Sequence, residues 1–191
     1  MPDVIVLAGP NGAGKSTASE KLLQESCHVT EFVNADVIAR GLSAFHPECV
    51  AVAAGRIMLT RLRELAAERK SFAFETTLAS RTFAPWLKGL IESGYVLKVF
   101  FFWLPSAEMA VQRVAQRFST GGHTVPEDAI RRRYERGLDN LFESYLRMAG
   151  EWFVYDSSSR QGLEIARGGP GMQCVIADPA KWQQMTAGRL S

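Results

Sequence analysis

The sequence predicts an α/β fold: a doubly wound parallel sheet with helices on both faces. Three observations carry this. Short apolar runs alternate with longer amphipathic stretches along the chain. Two of those runs, Val4-Ile5-Val6-Leu7-Ala8 and Val96–Trp103 (apolar apart from Lys98), are almost continuously apolar, as strands covered on both faces are. The first run leads directly into Gly9-Pro10-Asn11-Gly12-Ala13-Gly14-Lys15-Ser16-Thr17, which fits the phosphate-loop pattern G-x-x-x-x-G-K-[ST] between a strand and a helix. That context makes the sheet one of the P-loop NTPase type.

The elements follow in order. Strands are expected at 4–8, 30–33, 71–74, 95–103 and 152–155. Helices are expected at 16–25, 48–69, 82–93, 106–118, 127–148 and 179–186. Pro105, Ser106, Pro126 and Glu127 mark two of the helix starts. Between 156 and 178, Ser157-Ser158-Ser159 and Gly168-Gly169-Pro170-Gly171 read as loops. Leu163–Ala166 and Cys174–Ala177 can pair across the second as an edge hairpin. Phe100, Phe101, Phe102, Trp103, Trp152 and Trp182 read as packing residues.

Composition narrows the function. With 191 residues and 47% hydrophobic content, the chain is expected to be one domain, 1–191, carrying a small mobile insert. A net charge of +2 gives no general affinity for nucleic acid or an anionic membrane. No apolar run approaches the roughly 20 residues that span a bilayer. The first residues lack the charged region and cleavage site of a secretory leader. Cys27, Cys49 and Cys174 are odd in number and widely spaced, so reduced thiols in a cytoplasmic protein are expected.

Phosphate chemistry follows from the loop. Gly9, Pro10, Asn11, Gly12, Ala13, Gly14, Lys15, Ser16 and Thr17 are the expected ATP-binding residues. Glycines let backbone N–H groups approach phosphate oxygens, and the helix N-terminus adds further N–H groups and a positive dipole end. Lys15 reaches the β- and γ-phosphates, and the Ser16 hydroxyl ligates Mg²⁺.

In an open α/β sheet the ligands sit at the carboxyl ends of the strands. After strand two comes Asn34-Ala35-Asp36. Asp36 is placed either as a general base toward an attacking hydroxyl or, with Asn34, as a helix cap. After strand three comes Glu75-Thr76-Thr77, an acid flanked by hydroxyls. It suits orientation of Mg²⁺ through water, or capture of substrate hydroxyls. Arg113 and Arg117 lie four apart on one helix face, and Arg131, Arg132, Arg133 and Arg136 follow on the next helix. The glycine-rich Ser119–Pro126 segment joins the two helices. Together they read as an arginine-bearing lid, about 113–136, closing over ATP. His123 in that segment is a hinge or substrate contact and has no metal-ligand spacing around it.

These pieces together resemble the zeta-toxin-like family of P-loop kinases. The matching stretches are the phosphate loop, Asn34-Ala35-Asp36, Glu75-Thr76-Thr77-Leu78, Arg113-x-x-x-Arg117, Gly121-Gly122-His123-x-Val125-Pro126 and Ile130-x-Arg132-Arg133-Tyr134, over residues 3 to about 140. The resemblance implies phosphoryl transfer from ATP to a hydroxyl of a UDP-amino sugar, typically UDP-N-acetylglucosamine. It implies Lys15, Arg113 and Arg117 as charge stabilisers, Asp36 as base, and Glu75 as holder of sugar and metal water. It also implies a small antitoxin protein as a partner. Which of Arg117, Arg131 and Arg133 is the second lid arginine stays open. Two other readings also remain: a kinase of another small metabolite, and a nucleotide-binding switch with little transfer.

Overall fold

The computed structural model describes residues 1–23, 27–119, 125–159 and 162–189. Strand β1 (Asp3–Ala8) is fully buried from Val4 onward. The phosphate loop follows it, then helix α1 (Lys15–Lys21). Strand β2 (Phe32–Val33) has two residues and leads into α2 (Ala35–Leu42). A 3₁₀ turn (Pro47–Val50) precedes α3 (Ala51–Ala67), which turns Ala54, Met58, Leu62 and Leu65 inward at helical spacing. Strand β3 (Phe72–Thr76), α4 (Phe83–Glu92), β4 (Val96–Trp103), α5 (Ala107–Ser119) and α6 (Glu127–Asn140) continue the alternation. A π-helical stretch (Leu141–Tyr145) and the short α7 (Leu146–Met148) extend α6. Strand β5 (Glu151–Asp156), the hairpin of β6 (Leu163–Gly169) and β7 (Met172–Ile176), and α8 (Pro179–Thr186) complete the fold.

The sheet order is β2-β3-β1-β4-β5-β6-β7. The first five strands are parallel; β6 and β7 add on antiparallel. Strands β3 and β4 flank β1 on either side, so the chain reverses its winding there. That switch point opens a crevice at the carboxyl end of β1, where the phosphate loop lies. The core beneath it is aromatic: Phe72, Phe74, Phe101 and Trp103 are all buried. Each such side chain contributes about 1.5–3 kcal/mol through burial.

The expected hairpin is present and longer than its sequence pattern suggests. Trp152 stacks on Trp182 with centroids 5.7 Å apart, which docks α8 against β5. Several boundaries differ from expectation: β3 runs on to Thr76, so Glu75 and Thr76 end the strand and do not follow it. The strand at 30–33 keeps only Phe32 and Val33, because it is an edge strand pairing with β3 alone. The run at 48–69 divides into a proline-started 3₁₀ turn and α3. The run at 127–148 carries the π-helical stretch. Among the described residues, no helix is long and apolar enough to cross a membrane.

Candidate functional site

Gly9 starts the phosphate loop at φ 139°, and a Cβ there would fall 2.3 Å from the Phe102 carbonyl oxygen. Only glycine fits, because the loop must leave β1 pressed against β4. Gly12 and Gly14 are also at positive φ, and Gly14 is the N-cap of α1. This sequence of turns makes a concavity of the kind in which backbone N–H groups can gather around an anion.

Lys15 is 5% exposed. Its ammonium donates to the Gly9 and Pro10 carbonyls, both at 2.9 Å. Burial pushes its pKa below the ordinary lysine value; nearby Glu75 and Asp36 oppose that, and Arg117 adds to it. Arg117 is thus close enough for its charge to act on Lys15.

The end of β3 supplies the centre of the site. Glu75 accepts the Ser16 hydroxyl at 2.7 Å and the Asn34 amide at 2.7 Å, and lies 3.6 Å from the Lys15 ammonium. The start of α1, the cap of α2 and the end of β3 therefore converge on one carboxylate. Ser16 and Glu75 fit a Mg²⁺ site of the P-loop kind, in which the hydroxyl binds the ion and the acid orients its water.

Asn34 supplies the helix cap at strand two. Its side-chain oxygen accepts from the Asp36 N–H at 2.8 Å and the Val37 N–H at 3.3 Å, so Asn34 is the cap of α2. Asp36 lies in the first turn and is not the cap.

A cavity of about 410 Å³ adjoins the phosphate loop. It brings together Lys15, Asp36, Glu75, Thr76, Thr77 and Arg133, which the sequence places far apart. Asn11 lines it too, and its side-chain oxygen is buried without a hydrogen-bond partner among the described residues. Sequence reasoning missed Arg56, Ser80 and Thr82 on its walls. Ser80 and Thr82 follow the Glu75-Thr76-Thr77 stretch closely enough to have been suspected. Arg56 belongs to an ordinary amphipathic helix and carries no local signal.

The arginines expected on a lid have different surroundings. Arg113 packs against the phosphate loop, and its guanidinium donates to the Ser157 and Ser158 carbonyls at 2.6 Å each. Arg131 pairs with Glu108 and Glu127, bridging α5 and α6. Arg133 faces the cavity. His123, with the Gly121-Gly122 turn, lies outside the described residues.

A family model described as an AAA domain matches residues 4–141. The chain belongs to that family. An uncharacterised protein of Haemophilus influenzae is 25% identical over 130 residues, which are 68% of this chain and 91% of that protein. A chain of the AvrRxo1-ORF1:AvrRxo1-ORF2 complex, solved with sulphate ions, superposes with a TM-score of 0.79 at 16% identity over 100% of this chain. This chain spans 65% of that one's length. The PezAT chromosomal toxin–antitoxin system of Streptococcus pneumoniae gives a TM-score of 0.71 at 17% identity, covering 100% of this chain and 80% of that one. A gluconokinase from Sinorhizobium meliloti gives 0.51 at 17% identity, covering 83% of each chain. At these identities the shared property is the fold.

Proposed function

We propose that this protein is an ATP-dependent kinase that transfers the γ-phosphoryl group to a hydroxyl of a small molecule. The preferred acceptor is a UDP-amino sugar such as UDP-N-acetylglucosamine. The observation that carries the reading is the cavity in which Asp36, Glu75 and Arg133 sit beside Lys15. The gluconokinase neighbour supports kinase chemistry on this fold.

The roles follow from position. The loop from Gly9 to Thr17 holds the triphosphate. Lys15 exchanges its two carbonyl partners for phosphate oxygens, which compensates its buried charge. Mg²⁺ held through Ser16 would neutralise charge on the β- and γ-phosphates. Thr76, Thr77, Glu75 and Arg133 orient the acceptor, and the family resemblance adds His123 to that set. Asp36 takes the proton as the acceptor oxygen forms its bond to the γ-phosphorus. The bond from that phosphorus to the β–γ bridging oxygen breaks, and ADP leaves. Arg117 stabilises the charge in transit, and Arg113 holds the loop after β5 in place beside the phosphate loop. A small antitoxin partner belongs to the same reading and is supported by the toxin–antitoxin neighbour.

The test is an acceptor screen with γ-labelled ATP over nucleotide sugars and simple metabolites. A labelled UDP-N-acetylglucosamine product, lost in Asp36→Asn, supports the reading. Transfer to another metabolite alone replaces the acceptor and keeps the kinase. ATP binding with no transfer to any acceptor overturns it.

A further inference from the structure

Asn140 is the last residue of α6, 4% exposed, and no role for it is evident in the sequence. Its amide nitrogen donates to the Leu78 carbonyl at 2.6 Å. Its oxygen accepts from Arg81 Nε at 3.1 Å, and Arg81 reaches on to Glu143 at 2.7 Å. A buried amide is thus satisfied on both sides by one loop, the one joining β3 to α4.

That loop is held unusually. Leu78 is fully buried at φ 58°, a left-handed conformation that costs a non-glycine residue of order 1–3 kcal/mol unless its surroundings impose it. The Leu78 N–H is taken by Thr76 Oγ1 at 3.1 Å. One turn before Asn140, Gly137 lets α6 touch the loop: a Cβ there would lie 2.4 Å from the Thr77 carbonyl oxygen. The loop and its flanks contribute Thr76, Thr77, Ser80 and Thr82 to the cavity. Arg133, seven residues before Asn140 and so on the same side of α6, lines that cavity too.

We propose that Asn140 is a positioning residue for the acceptor: it locks the β3–α4 loop to α6, so that the loop hydroxyls and Arg133 meet the acceptor as one unit. The inference rests on the acceptor cavity of the proposed function. It does not depend on which hydroxyl compound fills the cavity. Among the described residues, the hydrogen bonds of Asn140 go to the β3–α4 loop and none to the phosphate loop, so the nucleotide side should not register its loss.

Asn140→Asp tests this with little change in volume. A carboxylate keeps the acceptor for Arg81 and removes the donor to Leu78. The expected result is an acceptor KM raised on the order of 10-fold, as loss of a buried hydrogen bond with its partner left unsatisfied implies. The KM for ATP should stay within about two-fold on the same grounds. Amide hydrogen exchange at Leu78 and Ala79 should accelerate, while the phosphate loop exchanges as in the parent. Asn140→Ala should repeat the pattern, and Gly137→Ala should produce it from the other side of the contact. Unchanged exchange in the loop overturns the strut. Faster exchange with an unchanged acceptor KM, or an ATP KM raised in the same proportion, overturns the positioning role. Should the parent phosphorylate no acceptor, the proposed function fails, and hydrogen exchange alone then decides the strut.

Discussion

The nucleotide side and the acceptor side of this site are built differently. On the nucleotide side the charged groups already have partners within the fold. Lys15 is held by its own loop's carbonyls, and Arg113 by the carbonyls after β5. Asp156 tightens the same segment by accepting from the Ser158 N–H and hydroxyl and pairing with Lys181. On the acceptor side, Arg56 and Arg133 border a cavity and form no ion pair among the described residues. The first side resembles a preformed mould for a constant ligand. The second leaves cationic groups free to meet a variable one, as a pocket that sets specificity requires.

The largest effect that would break this contrast is at Lys15. Lys15→Ala should lower transfer by about 10²–10³-fold or more, since it removes a buried cation from the transferring phosphates. Parent-like turnover would remove the phosphate loop from the mechanism.

The two arginines of α5 sharpen it. Arg117→Ala should reduce kcat on the order of 10²-fold with little change in ATP KM. Arg113→Ala should act mostly on ATP KM, because its guanidinium shapes the loop after β5. Steady-state kinetics separates them. An equal loss of kcat in both variants would return them to one shared role.

Spacing alone puts Arg113 and Arg117 on one helix face, so their difference was not legible in the sequence. It depends on Ser157 and Ser158, which arrive from 44 and 45 residues away. The phosphate loop was legible because its chemistry is contiguous, from the β1 strand to Ser16. Asp36 was ambiguous because Asn34 and Asp36 are both good capping residues, and only the geometry of two N–H groups assigns the cap to Asn34. The acceptor walls were half legible. Glu75, Thr76 and Thr77 end a strand, but Arg56 sits on a helix whose pattern explains itself by packing. Asn140 had no signal because its partners lie across the fold.

A pH effect comes next in size. Burial depresses the Lys15 pKa, and bound phosphates raise it again, so nucleotide binding should draw up a proton. ATP affinity should therefore fall as pH rises through the depressed value, earlier than an ordinary lysine of about 10.4 allows. Isothermal titration in buffers of different ionisation enthalpy reads the proton directly. Lys15→Arg should abolish the uptake.

The smallest effect on catalysis belongs to the far edge of the sheet. Trp182→Ala removes the stack of this half-buried ring on Trp152 and should cost about 1–3 kcal/mol of stability, with kcat close to the parent below the transition. Thermal melting and turnover on the same sample check both. A large loss of kcat in folded protein would show that α8 shapes the nucleotide side more strongly than its contacts indicate.

In the proposed function, the acceptor side delivers a hydroxyl to Asp36. The most direct measurement is phosphoryl transfer and ATP affinity in Asp36→Asn, side by side with the parent. We expect ATP binding within a few-fold and transfer lower by roughly 10²–10⁴, the range for a catalytic base. Transfer at the parent rate would contradict it and move the search for the base to Glu75.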